Sequence, residues 1–265
     1  MKHKNICLIL LLFQQSFMFA KFSLPKKITS FFNQNEPFQK IIQKNYKNIE
    51  SVEITQTTGS ISIETWKQPG VVLEIIHQGS ETFIKDAQIL VQNFHGKLVI
   101  TNKLDGQSND TTELRLIIPE AAPISINSKL GDINVSGSSG ILELYVEDGT
   151  ITIDNAINTI NAKSSQGNVI LWHKKIEPEK TITLTTENGD IFLYALDESN
   201  LDIDAQTLRG KINSTIPLTL HPLTLQINKK SIAELEQKIS GFIGKPLFKT
   251  KLFCYTGNVY IESYN

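Results

Sequence analysis

The sequence predicts an all-β fold: a β-solenoid, or β-helix-like stack, of two-strand rungs with one later helical insertion. Three observations carry it. Short runs alternate apolar and polar residues along most of the chain, the period-two signature of strands with one face turned inward. One pattern recurs: Gly, any residue, aliphatic, any residue, usually aliphatic. Consecutive copies from Gly131 onward stand 18, 18, 22 and 21 residues apart, before a jump of 47. Near-constant intervals favour a solenoid over a meander of hairpins, because stacked rungs demand equivalent corners.

Residues 1–20 read as an export signal. Lys2 and Lys4 precede an unbroken apolar run, Ile6–Phe13, and Ala20 closes a stretch where a signal peptidase would cut. The run is far shorter than the roughly 20 residues a bilayer span requires. Cys7 opens it, whereas a lipid-anchored chain carries its cysteine just after. The expected location is therefore outside the cytoplasm: periplasm, cell surface or medium, with no membrane span in the mature chain. Residues 21–49 form a lead segment with a helical pattern over 36–43, and 50–265 a single repetitive β domain.

Composition narrows the function classes. With 40% hydrophobic residues and a net charge of -1, the chain can build a core and offers no field to attract a polyanion, so nucleic acid is not expected as a partner. Two cysteines exclude a disulfide scaffold and a multi-cysteine metal module. Only Cys254 follows the signal; it lies in Leu-Phe-Cys-Tyr and is expected as a buried thiol.

The rungs follow in order. The pattern heads at Gly59, Gly96, Gly131, Gly149, Gly167, Gly189, Gly210 and Gly257, eight of the 15 glycines. A second alternating run precedes most of them, so each unit reads strand, tight turn, strand, tight turn. Glycine accepts the positive φ such corners require. Glu50 to Pro119 is less evenly spaced and reads as a more sheet-like start of the same body. Period two turns Ile133, Val135, Leu142, Leu144, Val146, Ile151, Ile153, Val169, Leu171, Ile182, Leu184, Ile191, Leu193, Leu201 and Ile203 inward. Each would contribute on the order of 1.5–3 kcal/mol by burial. The long interval is assigned to a helix over about 231–243: Ser231 and Glu234 form a capping box, Gly244 and Pro246 stop it, and Ile232, Leu235, Ile239, Phe242 and Ile243 share one face.

At Leu114–Trp172 the chain resembles the bacterial "putative adhesin" domains of unknown function: an aliphatic strand ending at Pro119, then Gly-Asp-Ile-like rungs at Gly131, Gly149, Gly167 and Gly189. The resemblance covers roughly Glu50–Asn265. It implies an exported, solenoid-like body without an established enzymatic activity.

Little in the sequence carries reaction chemistry. His77, His95, His173 and His221 show no metal-ligand spacing, and no nucleophile elbow, phosphate loop or HExxH is present. No cofactor, metal or catalytic residue is assigned. The enzyme alternative is a polysaccharide lyase or hydrolase on a β-helical frame, an analogy of fold alone, for which the corner acids Asp132, Asp148 and Asp190 are candidates and turn chemistry the plainer reading. The outward positions are polar in most rungs (Asn134, Ser136, Thr152, Asp154). They become Ile170 and Trp172, then Phe192 and Tyr194, with Tyr260 in the last copy. Stacked in register, these five residues form a candidate binding patch for a cell-surface glycan or an envelope protein. The apolar face of the 231–243 helix is the competing occupant, and the exposure of Trp172 and Phe192 decides between them. The expected protein is a non-enzymatic adhesin or envelope surface module.

Overall fold

The computed structural model describes residues 38–102, 110–173, 180–196, 199–222 and 237–264. They form two large sheets face to face around one core. The first elements are β1 (Phe38–Lys47), β2 (Ser51–Thr58), β3 (Ile61–Trp66), β4 (Gly70–Gly79), a six-residue helix α1 (Glu81–Asp86), β5 (Leu90–Phe94), β6 (Lys97–Asn102) and β7 (Thr111–Pro119). The regular rungs follow as β8 (Ile124–Leu130) with β9 (Ile133–Ser136), β10 (Leu142–Asp148) with β11 (Ile151–Asp154), β12 (Ile160–Gln166) with β13 (Val169–His173), and β14 (Thr181–Asn188) with β15 (Ile191–Ala195). Then come β16 (Leu201–Arg209), β17 (Ile212–Ser214), β18 (Thr219–Leu220), β19 (Lys238–Phe242), β20 (Phe248–Thr256) and β21 (Val259–Ser263).

The long strand of each rung joins one sheet and the short strand the other. Each pairs in parallel with its counterpart one rung on: β8–β10–β12–β14 in one sheet and β9–β11–β13–β15 in the other. This is the solenoid arrangement, not a meander. Every residue assigned inward is buried, and Ile151, Val169 and Leu184 are completely so.

Three ladders run along the stack. The corner glycines Gly59, Gly131, Gly149, Gly167, Gly189, Gly257 and Gly210 form one column. A Cβ on any of them after Gly59 would overlap the carbonyl of the preceding glycine. Inside the corner, the residue three before the glycine donates to that preceding carbonyl: Ser164 to Gly149 (2.8 Å), Thr186 to Gly167 (2.8 Å), the Cys254 thiol to Gly189 (3.1 Å) and Thr207 to Gly257 (2.8 Å). Outside it, Oδ1 of Asp132, Asn168, Asp190 and Asn258 accepts the backbone N–H of Thr150, Asp190, Asn258 and Lys211 in turn. Gly96 stands apart from this column; it turns the antiparallel β5–β6 hairpin beside Glu50.

The order in space departs from the order in sequence at both ends. β6 and β7 stack outside β2 and β3, and β8 and β9 take the other side. Farther along, β20 and β21 return to lie between the β14–β15 rung and the β16–β17 rung. Asn200 directs that return from a left-handed backbone conformation (φ 57°). Its carbonyl accepts from Leu247 N (3.1 Å) and Phe248 N (3.3 Å), and its Oδ1 from Lys245 N (2.8 Å).

One helical expectation is overturned, and a second is cut short where Gln237, still helical, gives way to strand. Residues 38–47 form strand β1, antiparallel to β4, instead of a helix over 36–43. The spacing of Phe38, Ile41 and Ile42 suits a helical face, but the free edge of β4 offers ten paired positions that an isolated turn of helix cannot match. Within 231–243, Lys238–Phe242 is strand β19, antiparallel to β16. The same edge-pairing argument applies, and Gly241 packs there against the β18 backbone. Ser231–Glu236, with the capping box, lie outside the described residues, as does the export signal.

Candidate functional site

The five patch residues come together on the outer face of the short-strand sheet. β13, β15 and β21 are in-register parallel neighbours, so Ile170 stands beside Phe192 and Phe192 beside Tyr260, while Trp172 stands beside Tyr194. Trp172 and Tyr194 stack with centroids 3.9 Å apart and planes 11° from parallel. Phe192 and Tyr260 stack at 4.9 Å and 9°. Phe192 and Tyr194, two residues apart on one strand, lie side by side at 6.3 Å and 9°. The rings therefore stand upright on the sheet, faces turned toward one another along the stack, edges toward solvent. Tyr264 completes the group, meeting Trp172 edge to face at 5.6 Å and 82°. All six side chains are half-buried. The described part of the segment expected to cover the patch, β19, pairs with β16 in the opposite sheet.

Carboxylates bracket the Trp172–Tyr194 pair. Across the strands the row runs Glu64, Ser136, Asp154, Trp172, Tyr194, Glu262. Burial, and then the charge of Glu262, raises the Tyr194 phenol above its ordinary value; burial and then Asp154 do the same to Tyr264. Both stay neutral at neutral pH.

The corner acids do not form a reactive pair. Asp132 and Asp190 are engaged with the next rung's backbone, and Asp148 lies exposed between Leu130 and Gln166 of its neighbours. The mixed cluster of acids and bases lies elsewhere. A shallow groove of about 240 Å³ on the outer face of the long-strand sheet is lined by Asp202, Asp204, His221, Ser240, Lys249, Thr250 and Lys251. His221 Nε2 meets Asp202 Oδ1 at 2.8 Å. Sequence reasoning missed this groove because it depends on β20 sitting beside β16, which no local pattern encodes. Glu262 was within reach, since extending the rung alignment by one outward position beyond Tyr260 sets it on the row with Asp154 and Trp172.

The buried reactive groups are structural. Cys254 is fully buried, as its setting predicts, and burial pushes its thiol up to about 11. His173 is fully buried at the end of β13, and burial holds its imidazole down to about 4. Among the described residues, no three metal-ligating side chains converge and no helix is long and apolar enough to cross a membrane.

Comparison with known proteins yields a family. Solved structures similar to this chain include a "putative cell adhesion protein" from Clostridium sporogenes (13% identity, 86% of this chain and 100% of that one, TM-score 0.48). Others are a "putative adhesin" from Bacteroides fragilis (16%, 85% and 97%, TM-score 0.44) and a "putative lipid binding protein" from Parabacteroides distasonis (13%, 85% and 97%, TM-score 0.34). Comparison with curated proteins finds no match. The profile of one domain family of unknown function matches residues 14–240, most of the length. On that match, with the stacked rungs it spans, the chain belongs to the Toastrack DUF4097 family.

Proposed function

We propose that this protein is an exported, non-enzymatic surface module of the cell envelope that holds a partner on the aromatic ledge of Ile170, Trp172, Phe192, Tyr194 and Tyr260. The observation that carries the reading is the half-exposed ring cluster itself. Five large apolar and aromatic side chains in register on an outer sheet face, where neighbouring rungs carry Asn134, Ser136, Thr152 and Asp154, are not needed for the core, which is complete beneath them. The signal-like start supports export, and the adhesion-related names of similar folds agree with a surface role. The test is a binding screen of the mature protein against glycans and envelope proteins, with Trp172→Ala as the paired variant. A partner held by the wild type and lost by the variant supports the reading. Equal binding by both sinks it.

The groove at Asp202, Asp204, His221, Lys249 and Lys251 favours a second reading, a carbohydrate-active enzyme, because it gathers acids with bases on a β-helical frame. It is open and shallow, and the closest acid–base contact in it, Asp202 with His221, is already made internally. Turnover of a polysaccharide by the wild type, abolished in Asp204→Asn, would replace the first reading with this one.

A further inference from the structure

We propose that the ledge takes a basic protein segment, running across the strands, with two cationic side chains set to meet Asp154 and Glu262. This rests on the ledge being the contact surface and names the partner's chemistry.

The ring geometry comes first. Sugar stacking and cation–π contact both need an exposed ring face. Here one face of Trp172 lies on Tyr194 and one face of Phe192 on Tyr260. Between the stacked rings only edges remain, a ribbed apolar strip, and the outer faces of the Trp172–Tyr194 pair turn toward Asp154 and Glu262. Such a strip suits aliphatic stems and apolar side chains laid across it.

Charge comes second. On the row through Trp172 and Tyr194 the other ionisable groups are Glu64, Asp154 and Glu262, all acids. Among the described residues Asp154 has one side-chain partner, a neutral one, accepting from Asn155 Nδ2 at 2.8 Å. The parallel row through Phe192 carries Arg115 at its far end, and that guanidinium is engaged by Glu113 (2.7 Å) and Glu74 (3.5 Å). An anionic or neutral partner leaves these carboxylates unanswered; a cationic one pairs them.

Spacing comes third and selects a segment over a single small cation. Asp154, Trp172, Tyr194 and Glu262 occupy four successive strands. Three strand spacings put the two carboxylate positions roughly 14 Å apart. An extended peptide covers that distance in about four residues, so lysines or arginines at i and i+4 reach both acids while the residues between them lie on the rings.

The test uses the full chain and labelled synthetic peptides with two lysines two, four or six positions apart, beside spermine and a neutral oligosaccharide. The i,i+4 peptide is expected to bind best, its affinity falling with added salt. Asp154→Asn with Glu262→Gln should weaken it roughly tenfold, the scale of two exposed charge pairs. Glu64→Gln, on the same row but beyond the rings, should leave it unchanged. Both amide variants are isosteric, and unchanged thermal unfolding confirms that they are folded. Binding that ignores the double amide substitution overturns the inference, as does spermine held as tightly as the peptide. A neutral oligosaccharide bound through Trp172 while no peptide binds overturns the inference and leaves the ledge reading standing. If Trp172→Ala changes no arm, the ledge reading itself falls.

Discussion

His173 shows how a single buried group ties stability to pH. Its folded value, about 4, lies below the 6.5 of an exposed imidazole because burial penalises the charged form. The unfolded chain therefore takes up the proton first as pH falls. Stability from this residue is complete above the unfolded value, declines between 6.5 and about 4, and changes no further below that. The gap corresponds to a loss on the order of 3 kcal/mol. His77 is pushed the same way, by burial and then by Lys40, but keeps a hydrogen bond to Thr112 (2.9 Å). His173→Leu should thus flatten the acid limb of a urea-midpoint profile relative to wild type. An acid limb of undiminished depth in the variant would remove His173 as its cause.

At the scale of the rung, the corner glycine is the least replaceable position. Gly167 has φ 139°, and its missing Cβ leaves room for the Gly149 carbonyl. Gly167→Ala combines a disfavoured backbone with a backbone clash and is expected to cost well over ~2 kcal/mol. Gly96→Ala keeps the backbone penalty (φ 83°), but its nearest neighbour is the flexible Glu50 side chain, so about 1–2 kcal/mol is expected. Thermal unfolding of the two variants checks the ranking; equal losses would deny the column its role. Much of this was legible beforehand. Glycine recurrence located the corners, and period two placed the core, because both are local consequences of backbone geometry. The inner hydroxyl ladder was also present in the sequence, three residues before Gly167, Gly189 and Gly210, but Ser164, Thr186 and Thr207 look like ordinary strand polars until a carbonyl is seen opposite each. The helical expectations failed over the stretches where a strand edge was available: Ile239 and Phe242 fit a helical stripe as well as a strand, and pairing with β16 decides.

For the whole molecule, rung equivalence explains both the regularity and the part the sequence hides. Every rung offers its neighbours the same glycine carbonyl, and most add an inner donor or a corner Asx, so adjacency in the chain need not mean adjacency in space. β20 and β21 use this freedom. Ending the chain before Phe248 should behave unlike trimming a terminal repeat. It empties an interior slot, stripping β14 and β16 of a shared partner, and should unfold the β16–β17 rung together with it. Hydrogen exchange would show protection lost on both sides of the missing rung; loss confined to one side would indicate ordinary end-trimming. Asn200→Ala, which removes the acceptor for Lys245 N, should give a milder form of the same loss.

The inserted rung also bears on how the protein is made. A simple solenoid can settle rung by rung as the chain emerges, each unit resting on the one before. Here β16 and β17 gain their parallel partners only when β20 and β21, well downstream, arrive to lie between them and β14 and β15. A partly made chain is left with an open slot, and closing it is a proofreading step: only a chain long enough to supply β20 and β21 attains the protected state. The slot also fits the equivalent strands of a neighbouring copy, so crowded, unfinished chains are the ones exposed to exchanging this rung between molecules.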